Sequence, residues 1–249
     1  MLAIIGGSGL AELPGLEITR RQIVRTPYGE PSGPLTFGRV GAADVVFLAR
    51  HGYGHTLAPH EINYRANLWA LKDKGVRRVL AICTVGGIAP GLASGRLVIP
   101  HQIIDYTWGR KATFFEGAEQ PVVHVDFTHP YCGETRRMIA EAAADAGVEV
   151  AVRGVYAAMP GPRLETAAEI DRLERDGADM VGMTGMPEAA LARELQLPYA
   201  ALAVVANAAA GRGESAQGIS QAQIGRVLEE AMGRARRVLE RVVERHGRP

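Results

Sequence analysis

Cysteine is scarce in this sequence. Cys83 and Cys132 are the only two in 249 residues, and their separation fits neither a disulfide framework nor a C-x-x-C site. Long apolar runs are also missing, because none approaches the roughly 18 residues that a membrane span requires. The apolar residues 2–5 form a run too short for a signal peptide and lack its basic leader. We therefore expect a cytoplasmic protein without a membrane partner.

Excess charge of either sign is absent as well. Lys and Arg number 28 against 27 Asp and Glu, for a formal net charge of +1, so the charge does not favour a nucleic-acid partner. The glycine-rich residues 6–10 lack the further glycine that a dinucleotide fingerprint needs at Glu12, and no P-loop Gly-Lys-Ser/Thr occurs. His60 and Glu61 begin a zinc-helix pattern that Tyr64 breaks, so we expect no metal site.

The sequence does contain an alternation of apolar strand patterns and amphipathic helix patterns along its length. An apolar fraction of 47% and a charged fraction of 22% are typical of an α/β protein. The predicted strands cover residues 2–5, 22–25, 35–40, 45–48, 78–83, 97–106, 148–155, 180–183 and 199–206. The predicted helices cover residues 63–74, 131–146, 187–195 and 221–245, with one more beginning at about 167. We predict one α/β domain, residues 1–249, with a mixed, mostly parallel sheet flanked by helices.

Polar side chains follow several of these strands. Ligands in such sheets bind beyond the carboxyl ends of the strands. The candidates at these ends are Ser8, Arg50, His51, Cys83, Thr84, Met183, Thr184 and Asn207. Arg50 and His51 suit a phosphate or a carboxylate, although a basic loop tip paired with a surface acid explains these two equally well on their own. The shared location at strand ends favours a binding site.

Five segments, in order along the chain, match a known family. They are Ile5-Gly6-Gly7-Ser8-Gly9-Leu10, Ala49-Arg50-His51-Gly52 with His55-Thr56, Asn63-Tyr64-Arg65-Ala66-Asn67, Gly161-Pro162-Arg163 with Glu165-Thr166, and Gly182-Met183-Thr184-Gly185-Met186-Pro187-Glu188. Through them the chain resembles the trimeric purine nucleoside phosphorylases, and most closely their methylthioadenosine and methylthioinosine phosphorylase branch. The resemblance implies a nucleoside phosphorylase fold and an enzyme that uses phosphate to release a purine from its ribose. It implies no metal or organic cofactor.

The resemblance also implies roles for individual residues. The expected phosphate-binding residues are Ser8, Arg50, His51, Cys83, Thr84 and Thr184, although the thiol of Cys83 is a weak donor. Met183 is expected beneath the ribose, and Asn207 is the expected catalytic residue because its amide can stabilise the departing base. His55 is expected to reach the 5′ pocket of a neighbouring subunit, which requires an oligomer. We therefore expect a homotrimer, and the sequence leaves open whether trimers pair.

Two departures from the methylthioadenosine branch indicate the base. That branch carries Asp-x-Asp where this chain has Asn207-Ala208-Ala209, and it has a small residue where this chain has Glu165, beside Leu164. The Asn207 amide can donate to O6 or N7, and an ionised Glu165 can accept the N1–H of a 6-oxopurine. Ile219 would line an apolar pocket that suits a 5′-methylthio group. We expect phosphorolysis of 5′-methylthioinosine to hypoxanthine and 5-methylthioribose 1-phosphate, a purine salvage step.

Other interpretations stay open. Glu165 can simply begin a helix, where the dipole favours an acid, and Asn207 can cap a strand. The substrate can instead be methylthioadenosine, or inosine or guanosine with a 5′-hydroxyl. Outside the family, a nucleoside-binding regulator without turnover would keep the glycine-rich loops but would not need Arg50, His51 and Thr184 together.

Overall fold

The computed structural model describes residues 1–10, 12–13, 15–118 and 121–246. In these ranges the strands are Leu2–Gly6 (β1), Glu17–Gln22 (β2), Leu35–Val40 (β3), Ala43–Ala49 (β4), Arg78–Gly87 (β5), Leu97–Val98 (β6), Gln102–Asp105 (β7), Val150–Ala151 (β8), Val155–Ala158 (β9), Met180–Gly182 (β10) and Tyr199–Ala208 (β11). The α-helices are Tyr64–Asp73 (α1), Gly133–Asp145 (α2), Ala167–Arg175 (α3), Gly185–Glu194 (α4) and Gln221–His246 (α5). A single turn of 3₁₀ helix covers Gly213–Ser215.

All of these strands belong to one sheet. Its main path runs β2-β3-β4-β1-β5-β10-β9-β7, while β11 pairs with β5 and β6, and β6 also pairs with β8. Six pairings in the described chain are parallel and four are antiparallel. The predicted mixed, mostly parallel sheet flanked by helices is therefore confirmed.

The sheet is covered on both faces, which explains why its central strands read as continuous apolar runs. In β1, Ala3 and Ile5 pack on one side with residues of α1 and α4. Leu2 and Ile4 pack on the other side with residues of α2 and α5. This alternation follows from the pleat, which points successive side chains to opposite faces.

Three strand predictions were wrong. The prediction for residues 22–25 holds only at Gln22, because the edge strand β2 covers Glu17–Gln22 and residues 23–25 lie outside it. The mostly exposed sequence of β2, EITRRQ, shows no apolar run from which its position could be predicted. Residues 97–106 form β6 and β7, separated around Pro100, which has no N–H for a ladder. Of residues 148–155, Val150–Ala151 form β8 and Val155 begins β9, while residues 152–154 belong to neither strand. The splits let β8 pair with β6 and β9 pair with β7, in different parts of the sheet.

The predicted helices are confirmed to within a few residues at each end. In α4, Met186 has an extended backbone (φ −120°, ψ 142°), so the regular helix begins at Pro187, as predicted from the preference of proline for the first helical position. No helix in the described ranges has the length and apolar character needed to cross a bilayer.

Candidate active site

The carboxyl ends of β1, β4, β10 and β11 open onto one cavity of about 500 Å³. A volume of this size can hold a small ligand of nucleoside class. The predicted site residues in its lining are Ser8, Arg50, His51, His55, Thr84, Leu164, Glu165, Met183, Thr184, Asn207, Ala209 and Ile219. Of the predicted residues, all of which fall in the described ranges, Cys83 and Ala208 alone do not line it.

Arg50 lies at the floor of the cavity with 0% of its surface exposed. Its Nε and Nη2 donate to the two carboxylate oxygens of Glu188 at 2.7 and 2.8 Å, and its Nη1 donates to the Ile82 carbonyl at 2.8 Å. Burial alone would lower the pKa of Arg50, but the charge and hydrogen bonds of Glu188 outweigh it and hold that pKa well above its ordinary value. The alternative of a basic loop tip paired with a surface acid is wrong, because the acid is buried.

The guanidinium of Arg50 keeps donors for a ligand. An arginine has five N–H groups, and the three bonds to Glu188 and Ile82 leave one on each terminal nitrogen. Gly7 lets the chain pass close to this group. A Cβ at Gly7 would lie 2.5 Å from the Ile82 carbonyl oxygen and 3.0 Å from Arg50 Nη1, so any side chain there would displace the arginine.

His51 is neutral near pH 7. Its Nδ1 is 2.9 Å from the Leu57 carbonyl, and because a carbonyl can only accept, Nδ1 carries the proton. Burial, followed by the charge of Arg50, lowers the pKa of His51 to about 4. Its Nε2 is therefore an acceptor, which can meet a phosphate only through a protonated phosphate oxygen.

His55 lies in the cavity of its own chain. Its backbone N–H donates to the Gly52 carbonyl at 3.1 Å, and its φ of 51° turns the chain back. The imidazole then sits 4.4 Å from the ring of His51, with Nε2 3.4 Å from Ser8 Oγ. The contact predicted from His55 to the 5′ pocket of a neighbouring subunit stays a prediction.

The hydroxyls of Thr84 and Thr184 face the cavity beside Ser8. Thr84 Oγ1 donates to the Ser8 carbonyl at 3.1 Å, which joins the end of β1 to β5. Thr184 Oγ1 is 4.0 Å from Cys83 Sγ. Cys83 itself is 1% exposed and packs in the core, and burial raises the pKa of its thiol. A direct contact from Cys83 to phosphate is thus not supported, since the thiol lies behind Thr184.

Two further polar side chains, Asn207 and Glu165, line the cavity. The pairing of β11 with β5 shifts register between Val205 and Asn207, and such a bulge re-aims the side chains that follow it. Asn207 lines the cavity, with Nδ2 donating to the Ala208 carbonyl at 2.6 Å. Glu165 faces the same space, and burial raises the pKa of its carboxyl group.

Ala208 points away from this space. Asn207 and Ala209 line the cavity on either side of it, as the alternation of side chains along a strand requires. The backbone N–H of Ala208 donates to Glu214 Oε1 at 3.0 Å. The predicted contact from Ala208 to the substrate is therefore not supported.

The remaining wall is mostly apolar. Ile219 and Ile224 lie near the start of α5, and Leu57 and Pro59 contribute from the loop after β4, with Thr56 and Gln221 as polar exceptions. Among the described residues, no group of three or more His, Cys, Asp and Glu side chains is arranged to hold a metal ion.

Comparison with known proteins identifies the family. The model of the phosphorylase superfamily matches residues 1–244. The chain belongs to the phosphorylase superfamily. A Pseudomonas syringae relative named probable S-methyl-5'-thioinosine phosphorylase is 51% identical over 97% of each chain. A Pyrococcus furiosus 6-oxopurine nucleoside phosphorylase is 50% identical over 84% of this chain and 80% of its own.

The phosphorylase fold predicted from the sequence motifs is confirmed by solved structures. Methylthioadenosine phosphorylase from Schistosoma mansoni, in complex with adenine, superposes with a TM-score of 0.95 and 32% identity, covering 99% of this chain and 91% of the other. The expected family is thus confirmed by sequence and by structure.

Sequence reasoning missed two residues of this phosphorylase site. Glu188 was part of a matching segment but received no role, and Tyr199, at the start of β11, donates from Oη to Glu188 Oε1 at 2.8 Å. The available signal was weak: Glu188 is an acid in a largely apolar helix, and its side chain is 0% exposed. Buried carboxylates are normally paired, but no feature of the sequence around Glu188 predicts that Arg50 is its partner.

Proposed function

We propose that this protein uses phosphate to cleave S-methyl-5'-thioinosine, giving hypoxanthine and 5-methylthioribose 1-phosphate. The proposal rests on the cavity lining, which contains both Glu165 and Asn207 and in which position 209 is alanine. A carboxylate accepts the N1–H of a 6-oxopurine, whereas adenine presents a lone pair at N1. The name of the Pseudomonas syringae relative supports the same assignment.

Phosphate would bind at the floor of the cavity. The two uncommitted N–H groups of Arg50 and the hydroxyls of Ser8 and Thr184 are its donors, and the neutral His51 accepts from a protonated phosphate oxygen. A bound phosphate oxygen attacks C1′ as the bond from C1′ to the purine nitrogen breaks, and the bonding electrons leave with the base. The negative charge of phosphate stabilises the oxocarbenium-like ribose, because the site holds the two close together in a fixed orientation.

The departing purine gains electron density and must be stabilised. The Asn207 amide donates to O6 or N7 as this density builds up. Glu165, when ionised, holds N1–H and orients the ring. Met183 packs beneath the ribose as an apolar, polarisable surface. Ile219 and Ile224 accept the methylthio group, which carries no hydrogen-bond donor.

A second candidate is a broader 6-oxopurine nucleoside phosphorylase. The Gln221 side chain reaches the cavity among the apolar residues at its 5′ end, and its amide could hold a 5′-hydroxyl. The name of the Pyrococcus furiosus relative supports this alternative. The two candidates differ only in the group at the 5′ carbon.

Four nucleosides test the assignment: methylthioinosine, methylthioadenosine, inosine and adenosine. We expect phosphate-dependent release of base to be most efficient with methylthioinosine, and about 10²–10⁴-fold less efficient with methylthioadenosine, since each buried mismatch costs about 1–3 kcal/mol. The double variant Asn207→Asp, Ala209→Asp should shift the preference toward adenine. Comparable efficiency on methylthioadenosine in the unchanged protein would reject the 6-oxo assignment, and equal efficiency on inosine would favour the second candidate.

We further propose a homotrimer in the cytoplasm. The family resemblance supports the trimer, and so do exposed apolar side chains such as Trp108 (77% exposed) and Val122 (74%), because large exposed apolar groups commonly mark an interface. Both cysteines are free, which suits a reducing compartment. Mass measurement in solution should give three chains, and a fully active monomer would overturn the trimer.

A further inference from the structure

Arg110 lies outside the regular elements, in the segment that follows β7. The two terminal nitrogens of its guanidinium carry four N–H groups, and four backbone carbonyls surround them. Nη1 donates to the carbonyls of Met183, at 2.8 Å, and Met186. Nη2 donates to the carbonyls of Pro160, at 2.9 Å, and Met159, at 3.4 Å. One side chain thus holds two separate pieces of backbone.

Both pieces belong to loops that line the cavity. We call residues 159–166 the base loop, because it carries Leu164 and Glu165. We call residues 183–187 the ribose loop, because it carries Met183 and Thr184. The loops follow two paired strands, β9 and β10, and one backbone bond, from Met159 N–H to the Gly182 carbonyl at 2.8 Å, joins their starts. Arg110 continues this connection beyond the ends of the strands.

A third part of the cavity wall is tied to the same side chain. The guanidinium carbon of Arg110 lies 5.5 Å from the centre of the Tyr64 ring, and Nη1 is 3.4 Å from Tyr64 Oη. Tyr64 is 2% exposed at the start of α1, and its Oη donates to the carbonyl of the cavity residue Pro59 at 2.9 Å. Through Arg110 and Tyr64, the two loops are therefore held in a fixed position relative to the packed helix α1.

We propose that Arg110 is a positioning residue that sets the spacing between the base loop and the ribose loop, and thereby the geometry of the purine relative to the ribose and phosphate. The names base loop and ribose loop rest on the proposed function, whereas the hydrogen bonds by which Arg110 sets the distance between the loops do not. A planar fork with donors on both terminal nitrogens can span two loops, whereas the single nitrogen of lysine cannot. Small displacements at a reacting centre lower the rate steeply.

Arg110→Met tests the proposal, with Arg65→Met as the matched control. Arg65 binds the same segment, through the Thr113 carbonyl at 3.3 Å and Glu116 at 2.6 Å, and it lies over the Tyr28 ring at 5.1 Å. Its contacts include neither loop. The first measurement is hydrogen–deuterium exchange of the full chain without substrate. We expect faster exchange in both loops of Arg110→Met and wild-type exchange there in Arg65→Met.

The second measurement is the ratio of kcat/KM for methylthioinosine to that for methylthioadenosine, which does not depend on the fraction of folded enzyme. Arg110→Met should lower this ratio about tenfold and lower kcat by about 10–100-fold, with Arg65→Met within about twofold of wild type and Arg110→Lys in between.

Wild-type exchange in either loop of Arg110→Met, or an equal effect of Arg65→Met, would overturn the proposal. If the unchanged protein cleaves none of the nucleosides, the proposed function fails and the exchange result alone decides on Arg110. If Arg110→Met does not fold, Arg110→Lys is judged by the same criteria.

Discussion

Arg50 and Glu188 form a two-point ion pair in which both side chains are 0% exposed. The positive charge beneath the cavity is therefore fixed in place by a carboxylate on α4, and Tyr199 supports that carboxylate in turn. A buried charge without its partner is costly. The site depends on Glu188 even though Glu188 does not line the cavity.

Glu188→Gln should weaken both folding and phosphate binding. Glutamine offers one acceptor and one donor to a guanidinium that needs two acceptors, and breaking a buried pair typically costs about 3–5 kcal/mol. The denaturation midpoint should fall and KM for phosphate should rise. Tyr199→Phe, which removes only the supporting hydroxyl, should cost about 1 kcal/mol. Wild-type phosphate dependence in Glu188→Gln would contradict the role assigned to the pair.

His51 should make the protein less stable in mild acid. Its pKa of about 4 in the folded protein is below the ordinary histidine value of about 6.5 expected for the unfolded chain. Between these values the unfolded chain binds a proton that the folded protein does not, so this contribution is present above about pH 6.5 and is lost as the pH falls toward 4. His51→Gln should show a shallower loss of stability between pH 8 and 5 in chemical denaturation. An unchanged slope would argue against a neutral, buried His51.

Glu165 should govern the choice of base. Because burial raises the pKa of its carboxyl group, kcat/KM for methylthioinosine should fall on the acid side at a higher pH than an ordinary glutamate would produce. Glu165→Gln should remove this acidic limb and reduce the preference for 6-oxo over 6-amino nucleosides by about 10–100-fold, since the new amide can donate to N1 of adenine.

Glu169→Gln is the matched control for Glu165. Glu169 is four residues further on, where it completes the capping box of α3 with Thr166 and pairs with Arg163. Its loss should lower stability but leave the base preference unchanged. Equal changes in preference for both variants would show that the effect arises from the helix start and not from contact with the purine.

Ile224 should discriminate at the 5′ end of the substrate. Placing a polar amide against the methylthio group, as in Ile224→Asn, should lower kcat/KM for methylthioinosine by about 10–200-fold and affect inosine much less. Val227→Asn, nearly one turn later on α5 and outside the cavity lining, should reduce stability without changing the ratio of kcat/KM for methylthioinosine to that for inosine. A ratio that is the same in all three proteins would remove Ile224 from the 5′ pocket.

The strand-end location of the site was predictable from sequence because parallel strands bring their carboxyl ends to the same edge. Arg50 and Asn207 follow or end the parallel strands β4 and β11, and both line the same cavity. Thr184 lines it for another reason, because it follows β10, which runs antiparallel to β5 and pairs with the carboxyl end of β5 at Gly86 and Gly87. The short strands β6 to β9 were not predictable, since two to four residues carry too little pattern to separate from a loop.

Contacts between distant parts of the chain were beyond sequence reasoning. Glu188 meets Arg50 across 138 positions, and Arg110 meets Met183 across 73. Neither separation leaves a local signal, since pairing depends on how α4 and the segment after β7 pack against the sheet. The neutral state of His51 was equally beyond sequence reasoning, because it follows from the burial of the side chain beside Arg50 in the folded protein.

The sequence by itself determined the family, the alternating α/β architecture and most of the residues that face the cavity, because those properties depend on local pattern and on motifs that occupy the ends of strands. Only the tertiary structure decided which of two neighbouring residues on a strand faces the cavity. Cys83 lies in the core while Thr84 reaches the cavity, and Ala208 points away between Asn207 and Ala209. The physical reason is the pleat together with register: successive side chains alternate between faces, and a bulge such as that before Asn207 resets which face each one takes.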